Sequence, residues 1–290
     1  EEALAAFGRR GVVESGLAQR MRIVAHLAVA GKPVSGESLG KILGSSRAAV
    51  HKHIETLRAL GFVIESVSGR GHRLVLPFDD LVAAEAVLPF LLRAEAAERT
   101  WTAGLPYIYR QSCDSTNRVL RKEIKTEDVP AGLTVVTDHQ TEGRGRLDRI
   151  WRDRPGEDLM FSVLLRPALA PGQAHLLSLA AALAVAETLE SWPGLEARVQ
   201  VKWPNDVLID GGKACGILLE GSMDGDRLHW AIAGLGMNVN SDARVLAAEI
   251  EREDAGGLAL RPRPVSLRAV TGVRVPRAPL LASLLKRLTE

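Results

Sequence analysis

The stretch QTEGRGRLDRIW, residues 140–151, sets Arg144, Arg146 and Arg149 around Gly143 and Gly145 and ends at Trp151. Glycine adopts backbone angles that other residues avoid and lets a ligand approach the main chain, so the two glycines predict a loop shaped around a bound group. The three guanidinium groups predict that this group is an anion. No Gly-Lys-Ser/Thr follows, so the loop is not a Walker A motif, and the third glycine of a dinucleotide fingerprint is missing. Taken alone, the stretch reads equally as a solvated basic loop.

Four further polar clusters fall at strand ends or turns. SCDSTN precedes a helical stretch, so Ser115, Thr116 and Asn117 offer hydroxyls, an amide and free backbone N–H groups, or simply a helix cap. KWPND puts Lys202, Asn205 and Asp206 where a strand ends, which is also ordinary turn chemistry. GGKACGILLE places Lys213 and Gly216 ahead of an apolar strand, and GLGMNVN ends a strand with Asn238. Together they provide cations in a flexible loop, small polar groups at a helix start, a carboxylate and a turn lysine. That set suits chemistry between two anions, in which growing charge needs fixed positive groups.

The elements that must hold these clusters follow from periodicity. MRIVAHLAVA offers Ile23, Val24, Leu27 and Val29 to one buried face and stops at Gly31 and Pro33. A second helix is capped by Ser35, turns Leu39 and Leu43 inward and ends at Gly44. A third begins at Ser45 or Ser46 and repeats Val50, Ile54, Leu57 and Leu60 at helical spacing up to Gly61. Its other face carries Arg47, His51 and Lys52. FVIESVSGRGHRLVL then reads as a hairpin with Arg70 at its tip. Three short helices and a basic wing make a winged helix-turn-helix, with Ser46, Arg47, His51, Lys52 and Arg70 as the candidate DNA contacts. A winged helix that binds another protein is the competing reading.

Beyond Pro77 the pattern changes to strands in PYIYRQS, GLTVVTD, DLMFSVLLRP, RVQVKWP and NDVLIDGGKACGILLEG, with a buried Leu- and Ala-rich helix from Gly172 to Trp192. Turns at Asp210-Gly211-Gly212 and Asp224-Gly225 make neighbouring strands antiparallel, so this part is mixed α+β. The 290 residues suit two domains. A net charge of +2 confines any nucleic-acid surface to a local patch. The N-terminus lacks signal-peptide features and LLSLAAALAVA is too short to span a bilayer, which predicts a cytoplasmic protein with no membrane partner. Cys113 and Cys215 form no CxxC pair and are expected to be reduced thiols, not a zinc site.

In order and spacing, SGESLGKILGSSRAAVHKHIETLRALG, STN, QTEGRGRLDRIW, KWPNDVLI, GGKACGILLE and GLGMNVN resemble the bifunctional biotin-protein ligase and biotin operon repressor family, the BirA type. The resemblance covers nearly the whole chain. It implies an α+β protein: a winged helix-turn-helix at 15–77, a linker helix region at 78–100, and at 101–290 a largely antiparallel ligase domain of the class II aminoacyl-tRNA synthetase-like, biotin/lipoate ligase fold. The family's small C-terminal barrel-like domain is expected to be absent. The implied reaction joins biotin to ATP, with Mg2+, as biotinyl-5'-AMP and then transfers biotin to a lysine of a biotin carboxyl carrier protein. A homodimer holding that adenylate is the expected repressor of operator DNA. By position, Ser115, Thr116, Asn117 and Gln140 resemble the binders of biotin's polar ring. Gly143, Arg144, Gly145, Arg146 and Arg149 resemble the closing loop, and Trp151 the adenine-side aromatic. Lys202 and Gly216 are placed in the adenylate site by the same resemblance, Asn205 and Asn238 resemble phosphate and metal contacts, and no residue is assigned as a resident metal ligand. Lys213, Arg146 and Asp206 resemble the catalytic set. Where the family's loop reads GRGRRGRxW, this chain has Leu147 and Asp148, and a carboxylate there should weaken the grip on phosphate unless an arginine pairs with it. A lipoate-protein ligase and a non-catalytic, adenylate-sensing repressor are the alternatives.

Overall fold

The computed structural model describes residues 15–92, 103–124, 129–147, 149–225, 227–253 and 262–290. Helices α1 (Ser15–Ala30), α2 (Gly36–Leu43) and α3 (Arg47–Ala59) open the chain. The Ser35 hydroxyl accepts a hydrogen bond from the Ser38 N–H and starts α2, which ends at Gly44 in the left-handed region. Ser46, not Ser45, caps α3 by accepting from the Ala49 N–H. Leu39, Leu43, Val50, Ile54 and Leu57 are buried as their spacing predicts. Val29 is not: it is 89% exposed, and Met21 joins Ile23, Val24 and Leu27 in the core instead. At 3.6 residues per turn Val29 lies roughly 200° around the helix from Leu27, on the far side. Strands β1 (Ile64–Val67) and β2 (Gly71–Leu74) form the antiparallel wing.

Helix α4 (Ala84–Leu91) packs against α1, where Arg20 and the buried Glu85 form an ion pair at 2.5 Å. It also packs against the last helix, α9 (Arg277–Thr289). Arg277, 3% exposed, ties this corner together. Its Nη1 donates to Asp138 Oδ1 at 2.9 Å and to the Asp158 carbonyl at 3.0 Å. Its Nε and Nη2 donate to Asp80 Oδ1 and the Asp80 carbonyl.

The central sheet has seven strands: β3 (Tyr107–Arg110), β4 (Thr134–Thr137), β5 (Leu159–Leu165), β6 (Val199–Lys202), β7 (Asp206–Ile209), β8 (Gly212–Asp224) and β9 (Arg227–Met237). Their spatial order is β3-β4-β5-β9-β8-β7-β6, with β3 and β4 parallel and every other pair antiparallel. The single parallel pair is separated in sequence by helix α5 (Thr116–Glu123), which crosses one face of the sheet. Helix α6 (His175–Glu190) covers β6 to β9 on the opposite face. It is not buried all round as its composition predicted. Ala182, Val185, Ala186 and Leu189 face inward, while Leu176, Leu179 and Leu183 are exposed. A helix lying on a sheet hides only one stripe, and this one is so uniformly apolar that periodicity could not say which. Helices α7 (Ala243–Glu253) and α8 (Leu267–Thr271) complete the described elements.

Alternation along the strands separates two environments. Cys215 and Ile217 on β8, Ala233, Leu235 and Met237 on β9, and Phe161 and Val163 on β5 join the main core. Their neighbours Gly216, Leu218, Glu220, Ile232, Gly234, Gly236 and Ser162 therefore face the side on which α5 lies.

Candidate active site

On that side lies a cavity of about 420 Å³. Ser115, Thr116, Asn117 and Gln140 line one end, and Arg144, Gly145, Arg146, Arg149 and Trp151 one wall. Lys202, Asn205, Asp206, Lys213, Gly216 and Asn238 line the rest. Gly143 supports the wall from behind, since a Cβ there would lie 2.3 Å from the Trp151 carbonyl. Five segments separated by up to 123 positions in the sequence thus meet in one concavity.

The neutral end is a hydrogen-bonded chain. Gln140 Oε1 accepts from the Thr116 N–H at 2.8 Å and from its hydroxyl at 3.2 Å. Ser162 Oγ lies 2.7 Å from Thr116 Oγ1 and 2.6 Å from Asn117 Oδ1, and Asn117 Nδ2 donates to Glu220 Oε2 at 2.8 Å. The Asn117 amide is held by protein through one hydrogen bond at each end, which leaves it a second N–H and a second lone pair on the cavity wall. The Gln140 amide keeps its Nε2 donor for a ligand. Gln140 is itself anchored, since its N–H donates to Asp153 Oδ1 at 3.2 Å, and His139 Nδ1 donates to Asp153 Oδ2 at 2.9 Å. Burial raises the Asp153 carboxyl above its ordinary range, against the pull of the His139 hydrogen bond.

The described residues of the basic loop pair as a hairpin. Gly145 N–H donates to the Arg149 carbonyl at 2.7 Å, Trp151 N–H donates to the Gly143 carbonyl at 3.0 Å, and Arg144 and Ile150 form an antiparallel bridge. Leu147 occupies its tip with φ of 56°. Asp148, the residue expected to weaken the loop, lies outside the described residues. Arg146 donates to Asn205 Oδ1 at 3.1 Å, so two of the separately read motifs touch. Trp151 lies flat on the sheet over two glycines: a Cβ on Gly236 would come within 2.4 Å of Cε2 and one on Gly216 within 2.9 Å of Cζ3. Its buried Nε1 has no hydrogen-bond partner in the structure.

Lys213 Nζ sits 5.6 Å from the centre of the Trp151 ring and 2.7 Å from Asp206 Oδ1. The latter contact is a close ion pair without hydrogen-bond direction at Oδ1. The backbone of Lys213 is pinned by the segment after 261, accepting from Val265 N–H at 2.9 Å and donating to the Arg263 carbonyl at 2.7 Å. Asn238 secures the same segment by donating through Nδ2 to the carbonyls of Lys213 and Val265. Among the described residues no group of three or more His, Cys, Asp or Glu could hold a metal ion.

Ser162, Glu220, Gly234, Gly236, Asp153 and Arg263 were not singled out from the sequence. A strand serine or glutamate carries no local mark of its partners, and only the Gly-x-Gly of GLGMNVN hinted at a bare strand. The candidate DNA contacts lie apart from this cavity. Ser46 is the cap of α3, Arg47, His51 and Lys52 are exposed along that helix, and Arg70 is exposed at the wing turn.

Residues 107–238 match the Biotin/lipoate A/B protein ligase family, and residues 19–73 match a helix-turn-helix domain. The "Bifunctional ligase/repressor BirA" of Bacillus spizizenii is 34% identical over 252 residues, which is 87% of this chain and 71% of that protein. The protein of the same name from Escherichia coli is 36% identical over 205 residues, 71% of this chain and 59% of its own length. Biotin protein ligase from Aquifex aeolicus in complex with biotin and ATP aligns with a TM-score of 0.46 at 32% identity, covering 63% of this chain and 68% of that one. Among the described residues, no helix is long and apolar enough to cross a membrane.

Proposed function

The chain belongs to the Biotin/lipoate A/B protein ligase family, and from that premise we propose that its cavity activates biotin with ATP and passes the biotinyl group to a lysine of a biotin carboxyl carrier protein. The enzyme is a biotin-protein ligase and, through its helix-turn-helix, a repressor. In the first half-reaction a biotin carboxylate oxygen bonds to the α-phosphorus of ATP, the bond to the β-phosphate bridge breaks, and pyrophosphate leaves. In the second, the carrier amine attacks the acyl carbon, the bond to the phosphate oxygen breaks, AMP leaves and the amine gives up a proton.

The observation that carries this reading is the polarity of this cavity. One end is lined by a neutral hydrogen-bonding chain ending on Gln140, the other by Arg144, Arg146, Arg149 and Lys213 around an indole. A ligand with a polar uncharged head and an anionic tail fits both ends at once. Gln140 Nε2 would donate to the urea carbonyl of biotin, with Ser115 and Thr116 beside it. The Trp151 ring and its orphaned Nε1–H would flank the adenylate base or phosphate. Lys213 would sit against the acyl-phosphate oxygens, where charge grows most in the transition state. Asp206 now pairs with Lys213 and would orient or deprotonate the acceptor amine once that lysine turns to the phosphate. Mg2+ would enter on the nucleotide, held mainly by phosphate oxygens and water, with Asn205 and Asn238 oxygens within the cavity wall to supplement them.

The division into a DNA reader at 15–77, a linker at 78–100 and a catalytic unit at 101–290 is part of the proposal. So are a dimer formed when the adenylate is bound and an operator read by Ser46, Arg47, His51, Lys52 and Arg70. The test is release of pyrophosphate from ATP by the purified chain with biotin, compared with lipoate, and then transfer to a carrier domain. Biotin-dependent release is expected. Release with lipoate alone would make it a lipoate ligase, and tight adenylate binding without release would make it a sensor.

A further inference from the structure

The reaction proposed above gives Asp153 no task, although its carboxylate is buried and stands just outside the lining of the cavity's neutral end. Its side chain is 1% exposed. Oδ1 accepts from the Gln140 N–H at 3.2 Å, and Oδ2 accepts from His139 Nδ1 at 2.9 Å. The backbone explains why an acceptor is needed there. Gln140 forms a parallel bridge with Cys113, in which Cys113 N–H donates to the His139 carbonyl at 3.1 Å and Thr141 N–H donates to the Cys113 carbonyl at 2.9 Å. Successive peptide groups of an extended chain point to opposite sides, so the Gln140 N–H faces away from Cys113 and has no strand beside it to accept. Asp153 takes the place of that strand. An N–H shut away from water without an acceptor costs more than its bond contributes, so losing this carboxylate would shift the Gln140 backbone toward another partner. At its other end Gln140 is held through Oε1 by Thr116. The carboxylate is fixed from a second side too, because His139 holds the oxygen that Gln140 does not use.

We propose that Asp153 is a positioning residue for biotin recognition: through the Gln140 N–H it sets where the Gln140 amide stands, and His139 holds Asp153 in turn. The role rests on the reading of the cavity's neutral end as the place of the biotin ring. Both of these hydrogen bonds belong to that end, so the effect falls on biotin and not on the nucleotide.

Three substitutions in the full chain separate this role from a merely structural one. Asp153→Ala removes the acceptor, Asp153→Leu fills the space without one, and Asp153→Asn keeps both contacts, since its oxygen accepts from the Gln140 N–H and its nitrogen donates to His139 Nδ1 in the other ring tautomer. Biotin affinity is read by calorimetric titration, and the KM for ATP by turnover at saturating biotin with a carrier domain. D153A is expected to weaken biotin about tenfold, the scale of one buried donor left unsatisfied. The KM for ATP should stay within about twofold, because only biotin binding has been touched. D153N should bind biotin within about threefold of wild type, since its hydrogen bonds survive. In a Gln140→Ala background D153A should weaken biotin by less than about twofold, because the side chain it positions is gone. D153L carries the same expectations as D153A, which keeps the test intact if D153A folds poorly. Biotin bound equally by wild type and D153L, equal losses for biotin and ATP, D153N as weak as D153A, or the full loss retained in the Q140A background would overturn the role. A wild type that binds no biotin would refute the ligase reading on which the role rests, so the two failures are read from different proteins.

Discussion

Gly236→Ala puts one methyl group under the indole that the cavity is built around. The built Cβ lies 2.4 Å from Trp151 Cε2, 2.6 Å from Nε1 and 2.8 Å from Cδ2, whereas ordinary contact begins near 3.4 Å. The ring must therefore lift by about 1 Å, and Lys213, 5.6 Å from its centre, loses the surface it lies over. Gly236 does not have a positive φ, so alanine is unstrained there and the effect is steric. Overpacking costs about 1–3 kcal/mol, partly offset by the roughly 0.5–1 kcal/mol that a strand gains when glycine becomes alanine, so the fold should lose about 1 kcal/mol and survive. Catalysis should suffer more, because a 1 Å misplacement of a positioning group costs about 100-fold. Biotin-dependent pyrophosphate release gives turnover, and thermal melting gives stability. Gly172→Ala is the control, with nothing within 4 Å of its built Cβ. A folded G236A whose turnover stays within about threefold of wild type would show that the seat of Trp151 on the sheet does not set the site.

Lys213→Ala should lower turnover by about 10²-fold or more while biotin affinity changes only a few-fold, because a lysine at growing charge acts mainly in the transition state; equal losses in both would refute its role. Arg277→Met, which leaves Asp80 and Asp138 without their shared buried cation, should destabilise by about 3 kcal/mol, read as a drop of roughly 10 °C in melting temperature; a shift of a degree or two would mean that Arg274 and Tyr109 already satisfy those carboxylates. Burial pushes the Cys215 thiol up to about 12 and raises that of Cys113 as well, and Cys215 is buried whereas Cys113 is partly exposed. Iodoacetamide should therefore label Cys113 first in the native protein, and early alkylation at Cys215 would contradict its placement. A two-fold symmetric operator should be bound as a dimer and more tightly with biotin and ATP present, since one winged helix offers few phosphate contacts and a dimer doubles them; identical affinity at fixed salt with and without those ligands would remove the co-repressor role.

The winged helix was legible because its signals are local. Ser35 and Ser46 cap helices within three residues of themselves, Gly44 ends one by its own backbone angle, and the spacing of Val50, Ile54 and Leu57 states which face is buried. The membership of the cavity was legible too, since the basic loop, KWPND and the turn lysine carry charged groups suited to an anionic ligand, STN carries neutral hydrogen-bonding groups, and residues of all four line it. Roles within the cavity depended on long-range pairing that no segment encodes. What orients Asn117 is not written near it: Glu220, 103 positions later, and Ser162, 45 positions later, each hold one end of its amide. Gly216 and Gly236 acquire meaning only when the register of β8 on β9 sets them side by side beneath Trp151. Arg277 looks like one more cation of a C-terminal helix until folding buries it between Asp80 and Asp138. Caps, turns and periodicity are properties of a few adjacent residues. Which face of a sheet a helix covers, and which charges are then forced to share one space, is settled only when distant strands pair.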